Sequence, residues 1–463
     1  MIRSPWPLRS RDLLRGVRLA LLGLLVGVAC WPLNLVDDWQ EALLARLPGP
    51  SGDPWQLSTL ALAVAPVLVM PLLLVLQSGR LASGAGSGIP QTMASLEHPA
   101  QADRLLGLRP TVARLSLWTA ASLALMPLGR EGPVVHVGAA VAQALRRWAP
   151  GLIGPINPQL LIAVGAGAGL AGGFNSPLMG TLFVVEELTG SFRTALIWPS
   201  LVVCTGAALV SNLAGTPLFP LGIVPSDMPE WQQLLWAIPL GLGGGWLGGL
   251  FARGLLGAGR VLREGIQRRP WAVGLALGAA LAGMALVTGG WSGGDGEALM
   301  RRLLHDQGEL PIPGVPRTLL TWLVLLASRL VAPVLALAAG VPGGLIDPAF
   351  TIGAVFGGGT LTLLGGDAQL GVALGMAAGL AGATQLPLMT TVFALRLAGD
   401  QQWLFGILLS AVLAAWVGRQ IQPRPIYHAL ASLLDAQLRL RQQELEKPAV
   451  QAPPEPPLIS ERD

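Results

Sequence analysis

The sequence predicts an all-α polytopic membrane protein, and three observations support this fold class. Of its 463 residues, 52% are hydrophobic and only 12% are charged, with a mean hydropathy of +0.59. A chain of this composition has lipid rather than water as its solvent. Many of its apolar stretches are shorter than the roughly 20 residues that a straight membrane span needs. The 61 glycines interrupt these stretches instead of collecting in linkers, which is typical of half-helices that line a site within the membrane.

Apolar stretches mark the expected membrane segments in order along the chain. They are 17–36, 60–76, 112–128, 195–213, 236–251, 272–287 and 319–339, with more beyond. Proline stands at the start of several further apolar segments, as Pro133, Pro177, Pro348 and Pro387. Because the missing N–H of proline costs nothing at the first position of a helix, these prolines predict helix starts within the membrane.

Helix starts that converge within a membrane predict an anion site. Each start carries free N–H groups and a partial positive charge, so several of them bind a small anion without a buried cation. Neutral donors also let a transported ion leave, since they hold it less tightly than arginine or lysine would. The break Gly86-Ser87-Gly88-Ile89-Pro90 adds the Ser87 hydroxyl as a donor. Tyr427, the only tyrosine, follows the last apolar stretch and offers a second hydroxyl.

Glu131 is the first candidate for a gate. It lies in Gly129-Arg130-Glu131-Gly132-Pro133, a glycine- and proline-containing break in apolar sequence. An ionisable residue at membrane depth is costly, so its presence predicts a function. We expect its carboxylate to compete with the anion for the helix-terminal donors until protonation releases it. The alternative is a structural ion pair with Arg130.

Two internal matches predict that the chain is duplicated. The stretch 165–179 reappears as 375–389, at an offset of 375 − 165 = 210. The stretch 129–138 aligns with 344–353, at an offset of 344 − 129 = 215. Two matches in the same order at nearly the same offset predict two halves, and duplicated halves of a membrane transporter usually meet around a midplane site.

These matches and the charge distribution divide the chain into four parts. We assign 1–16 as a basic N-terminus, 17–225 and 226–437 as two transmembrane repeats, and 438–463 as a polar, proline-rich tail that we expect to be disordered. The net charge of +4 comes from arginines at segment ends, so nucleic acid is not an expected partner. The arginines before the first apolar stretch predict a cytoplasmic N-terminus.

Five motifs follow one another along the chain. They are Gly86-Ser-Gly-Ile-Pro90, Gly129-Arg-Glu-Gly-Pro133, Phe174-Asn-Ser-Pro177 with Glu186-Glu187-Leu188, Gly343-Gly344-Leu-Ile-Asp-Pro348 and Pro425-Ile-Tyr427. In this order they resemble the signatures of the CLC family of chloride channels and chloride/proton antiporters, over about residues 17–437. The resemblance implies a homodimer with one anion pathway per subunit. It also implies that each subunit consists of two inverted-topology repeats of tilted and broken helices.

The resemblance assigns roles to individual residues. Glu131 would be the outer gating carboxylate, and Glu187 the inner carboxylate that transfers protons. The central anion would be held by Ser87, Tyr427 and the amides of Leu345 and Ile346. The residues around the gate that complete the candidate anion-binding set are Gly129, Arg130 and Gly132.

The function that we expect from these features is chloride/proton antiport in a bacterial inner membrane, with chloride or a similar small anion, protons and the lipid bilayer as partners. We expect no cofactor, no metal and no enzymatic activity. A voltage- or pH-gated chloride channel of the same fold is the main alternative, and a fluoride/proton antiporter is a weaker one. An intramembrane serine protease is disfavoured, because it would need an activated serine with a histidine partner and the sequence around Ser87 lacks the expected motif spacing.

Several positions depart from the family pattern or have a structural alternative. The family usually has an aromatic residue at Ile346 and a small one at Asp347, so pore width and local charge differ here. Asp347 directly precedes Pro348 and is predicted to be the N-cap of its helix. His136 is predicted to be a packed neutral imidazole. The alternative for the acidic pair 186–187 is a helix end that faces water. Other departures are Gln91 and Arg396, both at positions where many members carry glutamate.

Overall fold

The computed structural model describes residues 10–213, 230–305, 318–399 and 401–446, and these segments are almost entirely helical. In chain order the α-helices are α1 (Ser10–Leu44), α2 (Pro48–Ser51), α3 (Leu57–Ser78), α4 (Ile89–Glu97), α5 (Ala102–Leu105), α6 (Leu108–Leu123), α7 (Glu131–Trp148), α8 (Pro150–Ile153), α9 (Pro158–Phe174), α10 (Pro177–Leu182), α11 (Thr194–Leu213), α12 (Trp231–Leu234), α13 (Ala237–Arg268), α14 (Pro270–Val287), α15 (Glu297–His305), α16 (Leu319–Ala338), α17 (Ile346–Leu363), α18 (Ala368–Thr384), α19 (Pro387–Ala398), α20 (Leu404–Ile421) and α21 (Ile426–Glu446). A π-helical turn, Phe183–Leu188, continues α10.

The helices confirm the predicted all-α polytopic class. In the described part of the chain, seven helical segments are long and apolar enough to cross a membrane: Leu13–Leu44, Leu57–Ser78, Thr194–Leu213, Trp231–Arg268, Pro270–Val287, Leu319–Ala338 and Gln401–Arg439. Six of the seven predicted apolar stretches fall within these segments, except that the stretch 319–339 extends one residue beyond its helix. The seventh stretch, 112–128, covers most of α6 and the turn that follows it.

Two shorter apolar helices, α9 and α18, lie in the interior and are buried on nearly all sides. A helix that is apolar all round is typical of the centre of a large protein. Their starts are capped alike, because Asn157 and Asp367 each accept hydrogen bonds from the two amides that follow the first helical residue. Their ends are also alike, with Asn175 and Gln385 in the left-handed conformation. These matched ends agree with the predicted duplication, whose boundaries remain a prediction.

Glycines let the central helices approach backbone to backbone. A Cβ added to Gly138 of α7 would collide with the carbonyl oxygen of Gly165 in α9. The same relation holds in the second half, where a Cβ on Gly353 of α17 would collide with the carbonyl oxygen of Gly375 in α18. Small residues at such contacts are the usual means by which membrane helices pack closely. The packing fixes the positions of α7 and α17, whose starts form the candidate site.

The prolines mark helix starts less uniformly than the sequence predicts. Pro177 and Pro387 are the first residues of α10 and α19, as predicted. Pro133 and Pro348 are instead the third residues of α7 and α17, so the predicted starts are wrong by two residues. Proline is tolerated there because every amide of the first helical turn lacks an intrahelical acceptor.

The predicted polar tail also begins later than expected. Helix α21 continues to Glu446, so residues 438–446 are helical and the prediction of disorder is wrong for them. The helix persists because proline appears only beyond it, at 448 and from 453 onward. The rest of the tail, the first nine residues of the N-terminus and most of the junction between the predicted repeats lie outside the described residues.

The close packing of α17 on α18 predicts that Gly353→Ala destabilises the protein. The added methyl group has only backbone to displace, and overpacking of this kind costs about 1–3 kcal/mol. The midpoint of thermal unfolding of the detergent-solubilised protein should therefore fall. Gly283→Ala in α14 is the matched control, because a Cβ there meets nothing within 4 Å. Equal midpoints for the two variants would contradict the packing argument.

Candidate anion and proton site

The starts of α7 and α17 face each other at the centre of the protein. The amide of Gly129 donates to the carbonyl of Gly344 at 3.0 Å, and the amide of Gly344 donates back to Gly129 at 2.7 Å. This pair of bonds, an isolated antiparallel bridge, holds together the two turns that precede the helices. It also corrects the prediction for Gly129, because its amide is occupied by Gly344 and is not available to an anion.

The carboxylate of Glu131 fills the space between these two turns. Glu131 is fully buried, and its Oε1 accepts a hydrogen bond of 2.6 Å from the amide of Asp347 in the first turn of α17. A Cβ on Gly129 or Gly344 would collide with this carboxylate, so the glycines make room for it. The side chain of the first residue of α7 therefore occupies a donor in the first turn of α17.

The side chain of Arg130, a member of the candidate anion-binding set, is engaged by other residues. Its guanidinium pairs with Asp37 of α1, and its Nη2 lies 3.6 Å from Glu297 Oε2 of α15. The guanidinium carbon also lies 4.7 Å from the centroid of the Phe174 ring. Arg130 thus ties the start of α7 to α1 and α15. The carboxylate of Glu131 turns to α17, which disfavours the structural pairing of Glu131 with Arg130.

Three carboxylates near Arg130 are close enough to be considered as metal ligands. Oxygens of Asp37, Asp295 and Glu297 lie within 4.8 Å of one another. Two guanidinium groups stand among them, because Arg130 pairs with Asp37 and Arg301 Nη2 donates to Glu297 at 2.9 Å. Arginines already balance these acids, so the arrangement is best described as an ion-pair network.

The Ser87 turn lies against the start of α7. A Cβ on Gly132 would collide with the carbonyl and hydroxyl oxygens of Ser87, so these two predicted residues are in contact. Gly88 has a φ of +112°, a conformation that favours glycine. Gln91, where the family commonly has glutamate, accepts from the amide of Gly88 at 2.9 Å and donates to the carbonyl of Ala85 at 3.1 Å. The amide side chain thus stabilises its own turn.

Arg114, which the sequence analysis did not identify, supports the same turn. It is fully buried, and it donates to the carbonyls of Gly86 and Ala85 at 3.1 and 3.2 Å. Its Nη1 lies 2.9 Å from Nε2 of His136 and 3.0 Å from Nδ1. Because a guanidinium can only donate, a ring nitrogen that bonds to it must accept. His136 is therefore neutral in this arrangement, in agreement with the packed imidazole that we predicted.

The two predicted hydroxyl donors are both buried and unpaired. Within the described residues, neither Ser87 Oγ nor the Tyr427 hydroxyl has a hydrogen-bond partner. Tyr427 packs edge-on against Phe183, with the ring centroids 6.5 Å apart. Its hydroxyl lies within electrostatic range of Glu131, Asp347 and Glu187. Buried polar groups in native proteins almost always have partners, so two unpaired hydroxyls indicate donors held for a ligand.

A cavity of about 300 Å³ connects Ser87 to two exposed arginines. Its wall includes Ser87, Leu345 and Gly343 of the site together with Arg260 and Arg263 of α13. Leu345 is the N-cap and Ile346 the first residue of α17. Amides at these two positions have no acceptor within their own helix. The cavity therefore leads from positive charge to a hydroxyl and a helix start.

The adjacent acids Glu186 and Glu187 have different environments. Glu186 accepts hydrogen bonds from the amides of Leu388 and Met389, at 3.2 and 2.7 Å, and so covers the start of α19. Glu187 is 2% exposed, and its Oε1 has no hydrogen-bond partner in the described part of the chain. The alternative, in which both acids lie at a helix end and face water, therefore does not hold for Glu187.

His428 lies beside Glu187 and reaches solvent. Its Nε2 lies 3.8 Å from Glu187 Oε1, and its side chain is 49% exposed. The sequence analysis did not identify His428, although it directly follows Tyr427 and could have been found there. A half-exposed imidazole beside a buried carboxyl group is placed between that group and solvent.

Asp347 is not the N-cap that the sequence predicts. Leu345 is the N-cap of α17, and Asp347 is the second helical residue. Its two carboxylate oxygens have no hydrogen-bond partner within the described residues. The prediction was wrong because it placed the helix start at Pro348, two residues too late.

Comparisons with known proteins agree with this architecture. A family model described as voltage gated chloride channel matches residues 67–419 of the chain. The voltage-gated ClC-type chloride channel ClcB of Escherichia coli is 28% identical over 345 residues, which cover 72% of this chain and 78% of the relative. The match of the family model over most of the chain shows that the protein belongs to the CLC family of chloride channels and transporters.

Solved structures extend the similarity of fold to nearly the whole chain. The structure of a slow cyanobacterial Cl⁻/H⁺ antiporter superposes with a TM-score of 0.72 at 21% identity, covering 92% of this chain and 99% of the other. That of a CLC-type fluoride/proton antiporter gives 0.70 at 23% identity, covering 90% and 98%. The protein is thus an integral membrane protein of a family that transports anions.

The unpaired hydroxyls predict that Ser87→Ala and Tyr427→Phe weaken chloride binding. Each change removes one neutral donor to a charged ligand, a loss of about 1.5–3 kcal/mol or roughly tenfold or more in affinity. Isothermal titration calorimetry on the purified protein measures this directly. Ser95→Ala is the control, because the Ser95 hydroxyl donates to the carbonyl of Gln91 within α4. Unchanged affinity in both site variants would contradict the site.

Proposed function

We propose that this protein exchanges chloride for protons, with Glu131 as the gate and Glu187 as the inner proton-transfer group. The observation that carries the proposal is the hydrogen bond from the amide of Asp347 to the carboxylate of Glu131. An amide in the first turn of a buried helix is a favourable donor to an anion. A carboxylate that takes this donor behaves as a substitute for the transported ion.

The anion reaches the site through the cavity beside Ser87. Arg260 and Arg263 line this cavity and raise the local concentration of anions without binding one at depth. The ion is then held by the hydroxyls of Ser87 and Tyr427 and by the amides of Leu345 and Ile346. All these donors are neutral, which favours release as well as binding.

Exchange follows from competition between the Glu131 carboxylate and the anion. Both are attracted by the partial positive charge at the start of α17. When the carboxylate takes up a proton, it loses this attraction and leaves its position to the anion. When the anion leaves, the deprotonated side chain returns. The start of α17 thus serves both ions in alternation.

Protons reach Glu131 by a separate route through Glu187. His428 is half-exposed and lies beside Glu187, and Tyr427 lies within electrostatic range of both Glu187 and Glu131. A passive channel of the same fold would need the anion donors but not this second route. The burial of Glu187 without a hydrogen-bond donor to its Oε1 therefore favours the antiporter over the channel.

Glu131→Gln is expected to keep chloride movement and to abolish proton movement. Glutamine has nearly the same shape but takes up no proton, so anion flux should also lose its dependence on pH. Flux from proteoliposomes with simultaneous chloride and pH recording measures both ions. The same assay with fluoride in place of chloride tests the fluoride alternative. Proton transport that survives in Glu131→Gln would exclude Glu131 as the gate.

Glu187→Gln is expected to uncouple protons while chloride still flows, because it removes the titrating group and leaves the anion donors intact. Glu186→Gln is a matched control one residue away. Glu186 covers the start of α19, and glutamine keeps one oxygen that can accept from one of the two amides. Proton coupling should be lost in the first variant and kept in the second. Proton coupling that survives in Glu187→Gln would exclude Glu187 as the inner proton-transfer group, and a wild type that moves no protons would favour the channel.

We further propose that the protein is a homodimer in a bacterial inner membrane with its N-terminus in the cytoplasm, and that its subunit comprises two inverted repeats. The arginines before the first span and the bacterial relative support the location. The matched caps of α9 and α18 support the repeats. Chemical cross-linking in membranes and labelling of cysteines introduced near the termini test the assembly and the orientation.

A further inference from the structure

Asp347 is a buried acid that the proposed exchange uses only through its backbone amide. Its side chain is fully buried, and neither carboxylate oxygen has a hydrogen-bond partner in the described residues. An ionised carboxylate in this position has lost its hydration without compensation, which costs far more than the burial of a neutral acid. The Asp347 side chain must therefore either carry a proton or have a partner that stabilises its charge.

Glu131 is the candidate partner for the Asp347 carboxyl group. The amide of Asp347 donates to Glu131 Oε1 at 2.6 Å, so the two acidic residues are in direct contact, and each carboxyl group lies within electrostatic range of the other. Glu131 Oε2 has no hydrogen-bond partner among the described residues. Two ionised carboxylates only accept hydrogen bonds, so contact between them is a bond only when one carries a proton. Two like charges at this separation would also repel strongly.

Other charged or titratable groups face the pair from three further elements. Arg130, which precedes α7, attracts both carboxyl groups, but it is also paired with Asp37. Asp295, before α15, and Tyr427 of α21 lie within electrostatic range of Asp347. Asp295 adds further negative charge, and Tyr427 adds no positive charge. The surroundings therefore do not supply the two positive charges that two ionised acids would require.

We propose that Glu131 and Asp347 form a carboxyl pair that retains one proton while Glu131 occupies the gate position. Asp347 carries this proton and donates it as a hydrogen bond to the Glu131 carboxylate. The pair then bears one negative charge, the same as the chloride ion that replaces the carboxylate. This inference rests on the proposed gate, and it makes Asp347 a positioning residue for it.

The proton balance of the gate follows directly. A second proton, delivered to Glu131, neutralises the pair and releases the Glu131 side chain. Asp347 keeps its own proton through the cycle, so only the second proton is exchanged for anion. The hydrogen bond from Asp347 stabilises the closed gate and sets the pH at which it opens.

Infrared difference spectroscopy on the protein in lipid membranes tests the shared proton without reference to transport. Subtracting the spectrum of Asp347→Asn from that of the wild type near neutral pH should leave one band of a protonated carboxyl group. The same band should shift in Glu131→Gln, because its acceptor changes from a carboxylate to an amide. Asp295→Asn, a nearby acid outside the pair, should leave the band in place. A wild type without the band, or a band unmoved in Glu131→Gln, would overturn the proposal.

The pH dependence of chloride flux gives an independent readout. Asp347→Leu removes the hydrogen-bond donor, so the closed carboxylate is less stable and the gate should open at a pH about one unit higher. Asp347→Asn keeps an N–H donor, so the shift in the pH at which its gate opens should be clearly smaller. Equal shifts of the opening pH in the two variants would refute the donor role of Asp347. Surviving proton transport in Glu131→Gln would instead refute the gate itself, whatever the infrared result.

Discussion

The structure depends on one contact within the membrane, where the turns before α7 and α17 bind each other. The two backbone bonds between Gly129 and Gly344 hold the helix starts together, and the hydrogen bond from the amide of Asp347 to Glu131 joins their first turns. Lipid offers no hydrogen bonds, so backbone groups at this depth must find partners in protein or in a ligand. The interrupted helices, the glycines and the surrounding packing all serve to place these two starts face to face.

This contact explains why the acids of the site have such different surroundings. Glu131 takes a donor that would suit an anion, whereas Glu186 covers the start of α19 and is satisfied by two amides. Glu187 lacks such donors and lies beside an exposed imidazole. A carboxylate held by amides is stable as an ion, while a buried carboxyl without them is suited to exchange protons. Whether each acid is held as an ion or exchanges protons thus depends on the helix start that its carboxyl group can reach.

Much of the fold and part of the site could be predicted from the sequence. Long apolar stretches predicted the spanning helices, and the motifs with Ser87, Glu131 and Tyr427 predicted residues that the structure brings to one region. Arg114 was missed because its partners are backbone carbonyls almost thirty residues earlier, which leave no local signal. The different fates of Glu186 and Glu187 depend on α19, about two hundred residues away.

The error at Asp347 has a specific physical cause. Proline was assumed to open its helix, yet the whole first turn tolerates it, and a shift of two residues turned a capping acid into a buried, unpaired one. A sequence rule that locates a helix only to within a turn cannot decide which side chain faces the site.

The central claim is that the Glu131 carboxylate and the transported anion use the same position. Anomalous X-ray scattering from crystals of Glu131→Gln soaked in bromide tests it most directly. We expect bromide within hydrogen-bonding distance of the amide of Asp347, where the carboxylate oxygen lies in the wild type. Bromide bound only elsewhere, with the glutamine side chain displaced and that amide left unoccupied, would contradict the competition between carboxylate and anion.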